Sequence, residues 1–341
     1  MICYKQIVIV NSCETHGKDN DQPNYEKDCV THFHPLIFRM NMNIRFGLCC
    51  VFFQEPIKFR TTTVTHILKL DRQEALKKIS SLCLENTKSL MEALIFCKKN
   101  NIGCFRINSR ILPIKTHPQA GYKIEEIPDY KEIISAFVKA GQYAKDNDVR
   151  TTFHPDQFVL LNSIYPDVNE ASIKEIEYQS EVAEWVGADV VNIHGGSAVN
   201  GKEEALKLFA HNFSKLSYRA RKLLTVENDD VSYTPSDLLP LCDNIGIPIV
   251  YDVHHHRCNP DEFSCSEATD LAIKTWNREP LFHISSPISG YDHLDERSHH
   301  DYINASDFPR FWLEQKITVE VEAKAKEVAI AKLISELTNK D

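Results

Sequence analysis

Eight short β-like runs recur along this chain, and helical patterns fill most of the gaps between them. The runs cover residues 44–49, 103–107, 149–153, 189–193, 222–226, 247–251, 281–284 and 317–321. Leu76, Ile79, Cys83, Leu90, Leu94 and Cys97 repeat at helical spacing with one gap, as do Leu206, Phe209, Phe213 and Leu216. Ile330, Leu333, Ile334 and Leu337 mark a final helix. Strands that alternate with helices pair in parallel, because each helix carries the chain back to the start of the next strand. Eight such units predict an α/β fold, a single (β/α)8 TIM barrel over residues 43–341. Residues 1–42 lack sustained periodicity and are expected to form an irregular, disordered N-terminal extension. Met40 and Met42 leave two readings open for it, an accessory arm or an upstream translation artefact.

Composition excludes several classes. Hydrophobic residues at 43% and charged residues at 26% suit an ordinary globular protein. No apolar stretch is long enough to span a bilayer. Ile7–Val10 is too short for a signal sequence and no small-residue cleavage site follows it. The expectation is an intracellular protein, cytoplasmic or nuclear, and not a secreted one. Eleven scattered cysteines, none in a CxxC pair, read as free thiols in a reducing compartment. The net charge of −9 speaks against a broad basic face for nucleic acid, but bound divalent metals would reverse the field locally.

The chemistry sits at the strand exits. Run three ends in Phe153-His154-Pro155-Asp156-Gln157 and run four in Ile193-His194-Gly195-Gly196. Run five ends in Val226-Glu227-Asn228-Asp229-Asp230, and run six in Asp252-Val253-His254-His255-His256. Run seven contains His283, with His299 in the loop beyond, and run eight ends in Glu320-Val321-Glu322. Singly, each has a plain structural explanation: a lone histidine is usually a hydrogen-bonded structural residue, and Asp229-Asp230 reads as a solvated turn. Six consecutive exits with such residues on one barrel face are much harder to explain that way, because this is the face where barrel active sites lie. Mixed histidine and carboxylate ligands suit Mn²⁺, Zn²⁺ or Fe²⁺, and seven or more ligands exceed the needs of one ion. Two to three divalent ions are expected. Such clusters suit phosphodiester hydrolysis, where one ion activates water and others hold the phosphate and leaving oxygen.

At these residues the chain resembles the UV damage endonuclease family over roughly residues 43–335. The stretches that carry the resemblance include Gly47-Leu48-Cys49-Cys50, Phe59-Arg60-Thr61-Thr62-Thr63, Phe105-Arg106-Ile107, His154-Pro155-x-Gln157 and Asn192-Ile193-His194-Gly195-Gly196. They continue through Glu227-Asn228-Asp229, Asp252-x-x-His255-His256, His283-Ile284-Ser285-Ser286, His299-x-Asp301-Tyr302 and Glu322-Ala323-Lys324-x-Lys326-Glu327. The resemblance implies a barrel related to endonuclease IV, with up to three metal ions. Mn²⁺ is favoured, and Zn²⁺ or Mg²⁺ are alternatives. It implies a nick in damaged double-stranded DNA immediately 5′ to a cyclobutane dimer or 6-4 photoproduct, leaving a 3′-hydroxyl and a 5′-phosphate. His154, His194 and Glu227 would then hold one ion, Glu227, Asp252, His283 and Glu322 a second, and His255 with His299 a third. Glu227, Lys324 and His117 take catalytic roles in this reading, and Leu48, Arg60, Gln157 and His256 face DNA or the lesion. Lys58, Arg110 and Arg257 are further candidates for phosphate contact.

Two positions depart from the family pattern. Leu281 stands where some members carry a lysine that assists the metals. Leu48 stands where some place a tyrosine that wedges into DNA, and an apolar wedge still unstacks bases. Three rivals remain: a general abasic-site endonuclease, a metal-dependent sugar isomerase-like barrel, and a barrel that binds metal or damaged DNA without cutting. No membrane and no obligatory protein partner are expected, and a monomer suffices.

Overall fold

The computed structural model describes residues 43–338, so the N-terminal extension lies outside the described residues. Eight parallel strands close into one barrel in chain order. They are β1 (Arg45–Cys49), β2 (Cys104–Ile107), β3 (Arg150–Phe153), β4 (Val191–His194), β5 (Leu224–Glu227), β6 (Ile249–Asp252), β7 (Leu281–Ile284) and β8 (Thr318–Val321). β1 pairs with both β2 and β8, which closes the ring. The expected (β/α)8 barrel is therefore present, with helices between the strands. Three strands begin and end later than the sequence pattern suggests. Lys222 and Leu223 belong to the short helix Tyr218–Leu223, which pushes the start of β5 to Leu224. As a result His194, Glu227 and Asp252 are the last residues of β4, β5 and β6 rather than loop residues.

The helices start and stop on local signals. Asp71 accepts a hydrogen bond from the Glu74 amide at 2.9 Å and caps the helix Arg72–Lys99. Thr234 and Asp237 form a capping box for the helix Pro235–Ile245, and Gly246 ends it in the left-handed conformation. The helix Lys202–Phe213 stops before Leu216, which is buried just beyond it. No helix among the described residues is long and apolar enough to cross a membrane. The eight cysteines among the described residues are all free.

Side chains alternate along each strand, and the barrel uses the two faces differently. Phe105, Phe153, Ile193, Val226, Phe282 and Val321 point outward into the apolar layer shared with the helices. Each such side chain contributes about 1.5–3 kcal/mol on burial. The inward face is largely polar. At its lower end Arg150 pairs with Asp189 through two 2.9 Å bonds, and Arg45 with Glu279 at 2.9 Å. Thr318 donates to Glu279 at 2.6 Å. Above this lies a small apolar plug of Val190, Val250 and Leu281. The polar residues at the strand exits thus lie at the open end of a barrel whose floor is sealed.

The helices Tyr130–Asp146 and Pro166–Val186 approach closely at Gly141. A Cβ there would lie 2.4 Å from the carbonyl oxygen of Val186. Gly141→Val should cost at least about 1–3 kcal/mol of overpacking. The expected result is a lower urea midpoint with an unchanged slope, and an unaltered midpoint would mean that the helices do not pack at this separation.

Candidate metal centre

Glu227 closes β5 and is 1% exposed. Its Oε2 lies 2.9 Å from His154 Nε2 and accepts from the Asn192 amide at 2.5 Å. Its Oε1 lies 3.0 Å from His283 Nδ1 and 3.3 Å from His255 Nδ1. One carboxylate is therefore ringed by three imidazoles and an amide. Burial opposes the charge on Glu227, but the facing His283 and His194 imidazoles outweigh it and hold the carboxyl well below its ordinary range. Burial likewise opposes a charged His283, yet Glu227 overrides it and raises that imidazole to about 10. His194 goes the other way, pushed down chiefly by burial.

Asp252 and Glu322 complete the ring. Asp252 Oδ1 accepts from the His255 amide at 2.8 Å, so this aspartate also caps the helix Val253–Cys258. Glu322 Oε1 accepts from Arg106 at 2.6 Å and lies 3.5 Å from His283 Nδ1, while its Oε2 lies 3.9 Å from His299 Nδ1. Three groupings each bring their ligand atoms within 4.8 Å: His154, Glu227 and His283; His194, Glu227 and His255; Asp252, His283 and Glu322.

These residues fit divalent ions. Two of the few buried polar atoms without a hydrogen-bond partner among the described residues are Asp252 Oδ2 and His194 Nδ1, and both belong to these groupings. A buried lone pair left unmatched costs roughly 1–3 kcal/mol, and a cation would satisfy it. Tautomers agree with this. His154 Nδ1 donates to the Pro155 carbonyl at 2.9 Å, which leaves a lone pair on the Nε2 that faces Glu227. His255 differs, since its Nδ1 lies 3.0 Å from the Asn228 carbonyl and 3.3 Å from Glu227 Oε1, and an Nδ1 hydrogen leaves the lone pair on Nε2. The donors are imidazole nitrogen and carboxylate oxygen, which suits Mn²⁺ or Zn²⁺.

The grouping differs from the one the family resemblance implies. His194 falls with His255 rather than with His154, and His299 joins none of the three groupings. Its Nδ1 is instead 3.3 Å from the Ser285 hydroxyl, and its side chain is 29% exposed.

Other candidates separate more sharply. Leu48 is fully buried and points into the layer between barrel and helices, so it cannot act as a wedge in DNA. The strand register explains this: Gly47 faces the barrel interior, so Leu48 must face away. His256 is 3% exposed, with Nδ1 bound to the Tyr251 hydroxyl at 2.8 Å and Nε2 to Asp261 at 2.9 Å. Both nitrogens are committed, so His256 has no free ring nitrogen to offer DNA. Arg257 is similarly engaged, donating to the Asp307 carbonyl at 2.7 Å and stacking on Tyr291. Asp229 accepts from the amides of Val231, Ser232 and Tyr233 and is a turn-former.

Gln157 and Lys324 are exposed, and Arg60 is exposed with Glu85 3.4 Å away. His117 is half-buried, its Nδ1 accepting from the Gln119 and Ala120 amides at 3.2 Å. It belongs to none of the metal groupings and lines a cleft of about 890 Å³ with Thr61, Arg110, Lys115 and Phe158. Leu281 sits in the apolar plug two residues before His283 on β7, and its side chain has no ligand atom to offer.

Four contributors have no role assigned by the sequence, although three of them stand in its motifs. Asn192 holds Glu227, while Arg106, Thr152 and Glu320 form a buried network below His283. The signal that could have found two of them was period two. Asn192 precedes His194, and Glu320 precedes Glu322, by two residues, so each shares the inward face with a ligand. Added Mn²⁺ should raise the thermal midpoint and a chelator should reverse it, since a ligand at 100 times its Kd stabilises by about 2.7 kcal/mol. Calorimetry with no metal-dependent shift would remove the metal reading.

The family model described as UV-endonuclease UvdE matches residues 44–341. A protein of Bacillus mycoides (strain KBAB4) named UV DNA damage endonuclease is 32% identical over 292 residues, which cover 82% of this chain and 89% of the relative. The crystal structure of SacUVDE superposes with a TM-score of 0.76 at 28% identity, covering 86% of this chain and 98% of that one. Endonuclease IV from Thermus thermophilus, at 16% identity and a TM-score of 0.55 over 86% of this chain and 97% of that one, shares the fold. With its barrel, its ring of histidines and carboxylates and a match that spans nearly all the described residues, the chain belongs to the UV-endonuclease UvdE family.

Proposed function

We propose that this protein is a metal-dependent DNA repair endonuclease that nicks duplex DNA immediately 5′ to UV photoproducts, leaving a 3′-hydroxyl and a 5′-phosphate. The observation that carries the proposal is the convergence of Glu227, Asp252 and Glu322 with His154, His194, His255 and His283 at the open end of a barrel, in a chain of this family. Two to three divalent ions, Mn²⁺ before Zn²⁺ or Mg²⁺, would supply water activation and charge neutralisation at the scissile phosphate.

The chain's own residues do the rest. Glu227 offers each of its oxygens to a different set of imidazoles, which suits it to bridge two ions. Asn192 fixes the rotation of that carboxylate by donating to it. Asp252 and Glu322 add negative charge that a phosphate could not approach without cations between. Every candidate ligand comes from one barrel, so a monomer is sufficient.

Lesion recognition needs an exposed aromatic or apolar group on the same face, and buried Leu48 cannot supply it. Phe158 follows Gln157 in the loop after β3 and is 73% exposed. It lines the cleft with the cations Arg110 and Lys115 and with the carboxylates Asp156, Asp167, Glu170 and Glu175, so a phosphate backbone would meet charge of both signs there. We assign base stacking to Phe158, with Gln157 filling the space that extruded bases leave. Damaged bases stack weakly and are cheaper to extrude, so this selects lesions without reading sequence.

The test is a nicking assay with Mn²⁺ on a duplex holding one cyclobutane dimer, beside undamaged and abasic duplexes and a chelator control. Chelator-sensitive cutting just 5′ of the dimer supports the proposal. Cutting at the abasic site alone would replace it with the narrower abasic-site role. Glu227→Gln should lower incision by more than roughly 100-fold with the fold intact. Phe158→Ala should weaken binding to the damaged duplex by about 1–3 kcal/mol and leave Mn²⁺ binding unchanged. Equal affinity of that variant and the parent for the dimer would shift the stacking role elsewhere.

A further inference from the structure

Glu320 lies two residues before Glu322 on β8, faces the barrel interior and is 1% exposed. A buried carboxylate is expensive unless it is paired and hydrogen-bonded. Here Arg106 Nε donates to Oε2 at 2.5 Å, the Thr152 hydroxyl donates to Oε1, and His283 Nε2 lies 3.1 Å from Oε2. Space for this side chain exists because residue 47 is glycine: a Cβ there would lie 2.8 Å from Glu320 Cγ. The barrel therefore accommodates a carboxylate directly beneath a candidate metal ligand, and the functional reading above assigns it no part.

We infer that Glu320 is a positioning residue that holds His283 in the tautomer able to bind metal. The inference rests on the metal-dependent reading above. His283 Nδ1 is on the ligand side, 3.0 Å from Glu227 Oε1 and 3.5 Å from Glu322 Oε1. To offer a lone pair there, the neutral ring must carry its hydrogen on Nε2. That hydrogen needs an acceptor. Arg106 Nη2 lies 2.8 Å from Nε2, but a guanidinium has no acceptor atom. Glu320 Oε2 can take the hydrogen.

The same three side chains also support the other tautomer. With the hydrogen on Nδ1, it is donated to Glu227, and Nε2 accepts from Arg106. Both tautomers find partners around the same ring position, and Arg106 stays bound to Glu320 through Nε whichever nitrogen of His283 carries the hydrogen. The ring need not rotate as metal binds, because Nδ1 and Nε2 keep the same neighbours whether or not Nδ1 carries a hydrogen. Without Glu320, Arg106 would favour the tautomer whose Nδ1 hydrogen points at the metal pocket.

Isothermal titration of Mn²⁺ into the full chain tests this, with wild type, Glu320→Met and Glu320→Gln compared. Glu320→Met removes the acceptor and should lower Mn²⁺ affinity about 10–100-fold. Glu320→Gln keeps an acceptor oxygen and should recover most of the loss, to within about fivefold of wild type. If Glu320 served only to neutralise Arg106, the two variants would lose affinity equally, since both remove the charge. That result, or Met within twofold of wild type, overturns the inference. Should Glu320→Met fail to fold, ¹⁵N spectra of the Zn²⁺-loaded wild type carry the test. His283 must show a metal-bound Nδ1 and a hydrogen on Nε2, and the reverse assignment refutes the role. A wild type that binds neither ion removes the metal reading itself, which is a separate outcome.

Discussion

The buried charge of Glu227 is the constraint around which the centre is organised. A carboxylate sealed inside a barrel carries a desolvation penalty of several kcal/mol, and only close partners offset it. His154, His255, His283 and Asn192 are those partners, and they come from four other strands or strand exits. No single loop could assemble them. A closed barrel can, because consecutive parallel strands deliver their last residues to one rim. The centre and the architecture are therefore two aspects of one arrangement.

The barrel interior divides along its axis by chemistry. At the lower end cations and anions of the chain pair with one another, as in Arg150 with Asp189 and Arg45 with Glu279, and an apolar plug sits above them. At the upper end anions and imidazoles exceed the cations available. Arg106 is a buried guanidinium shared between Glu320 and Glu322, and the remaining carboxylates, with the unmatched oxygen of Asp252, face one another across imidazoles. One end is balanced internally and the other requires charge from outside. This also explains how a chain of net charge −9 can belong to a family of DNA enzymes. Ions bound at these groupings would set the field at the rim as much as the count of lysines and arginines does.

Much of this is legible from the residues in order. The eight runs and their helices follow from periods of two and 3.6, and the ligand residues stand out because each closes a run. Strand limits differ from the pattern by a residue or two, as where a short helix, Tyr218–Leu223, claims positions that also read as β. Leu48 departs from its expected role for a physical reason. Its place after Gly47 is visible in sequence, but the direction it faces depends on pairing with β2 and β8, which turn Gly47 inward. His256 looks like one of three equivalent histidines until Tyr251 and Asp261 occupy both its nitrogens.

What the sequence by itself determined is the set of residue types and their order: alternating strands and helices, with histidine, aspartate or glutamate at six successive exits. Those are local properties, written in spacing and hydrophobic period. Tertiary structure decided which of these residues share a grouping and which neighbours hold them. Glu320 reaches His283 across paired strands, and Asn192 reaches Glu227 from 35 residues away in the chain. Period two places both on the inward face, but which groups they meet there depends on strand register and barrel closure, which no local pattern encodes.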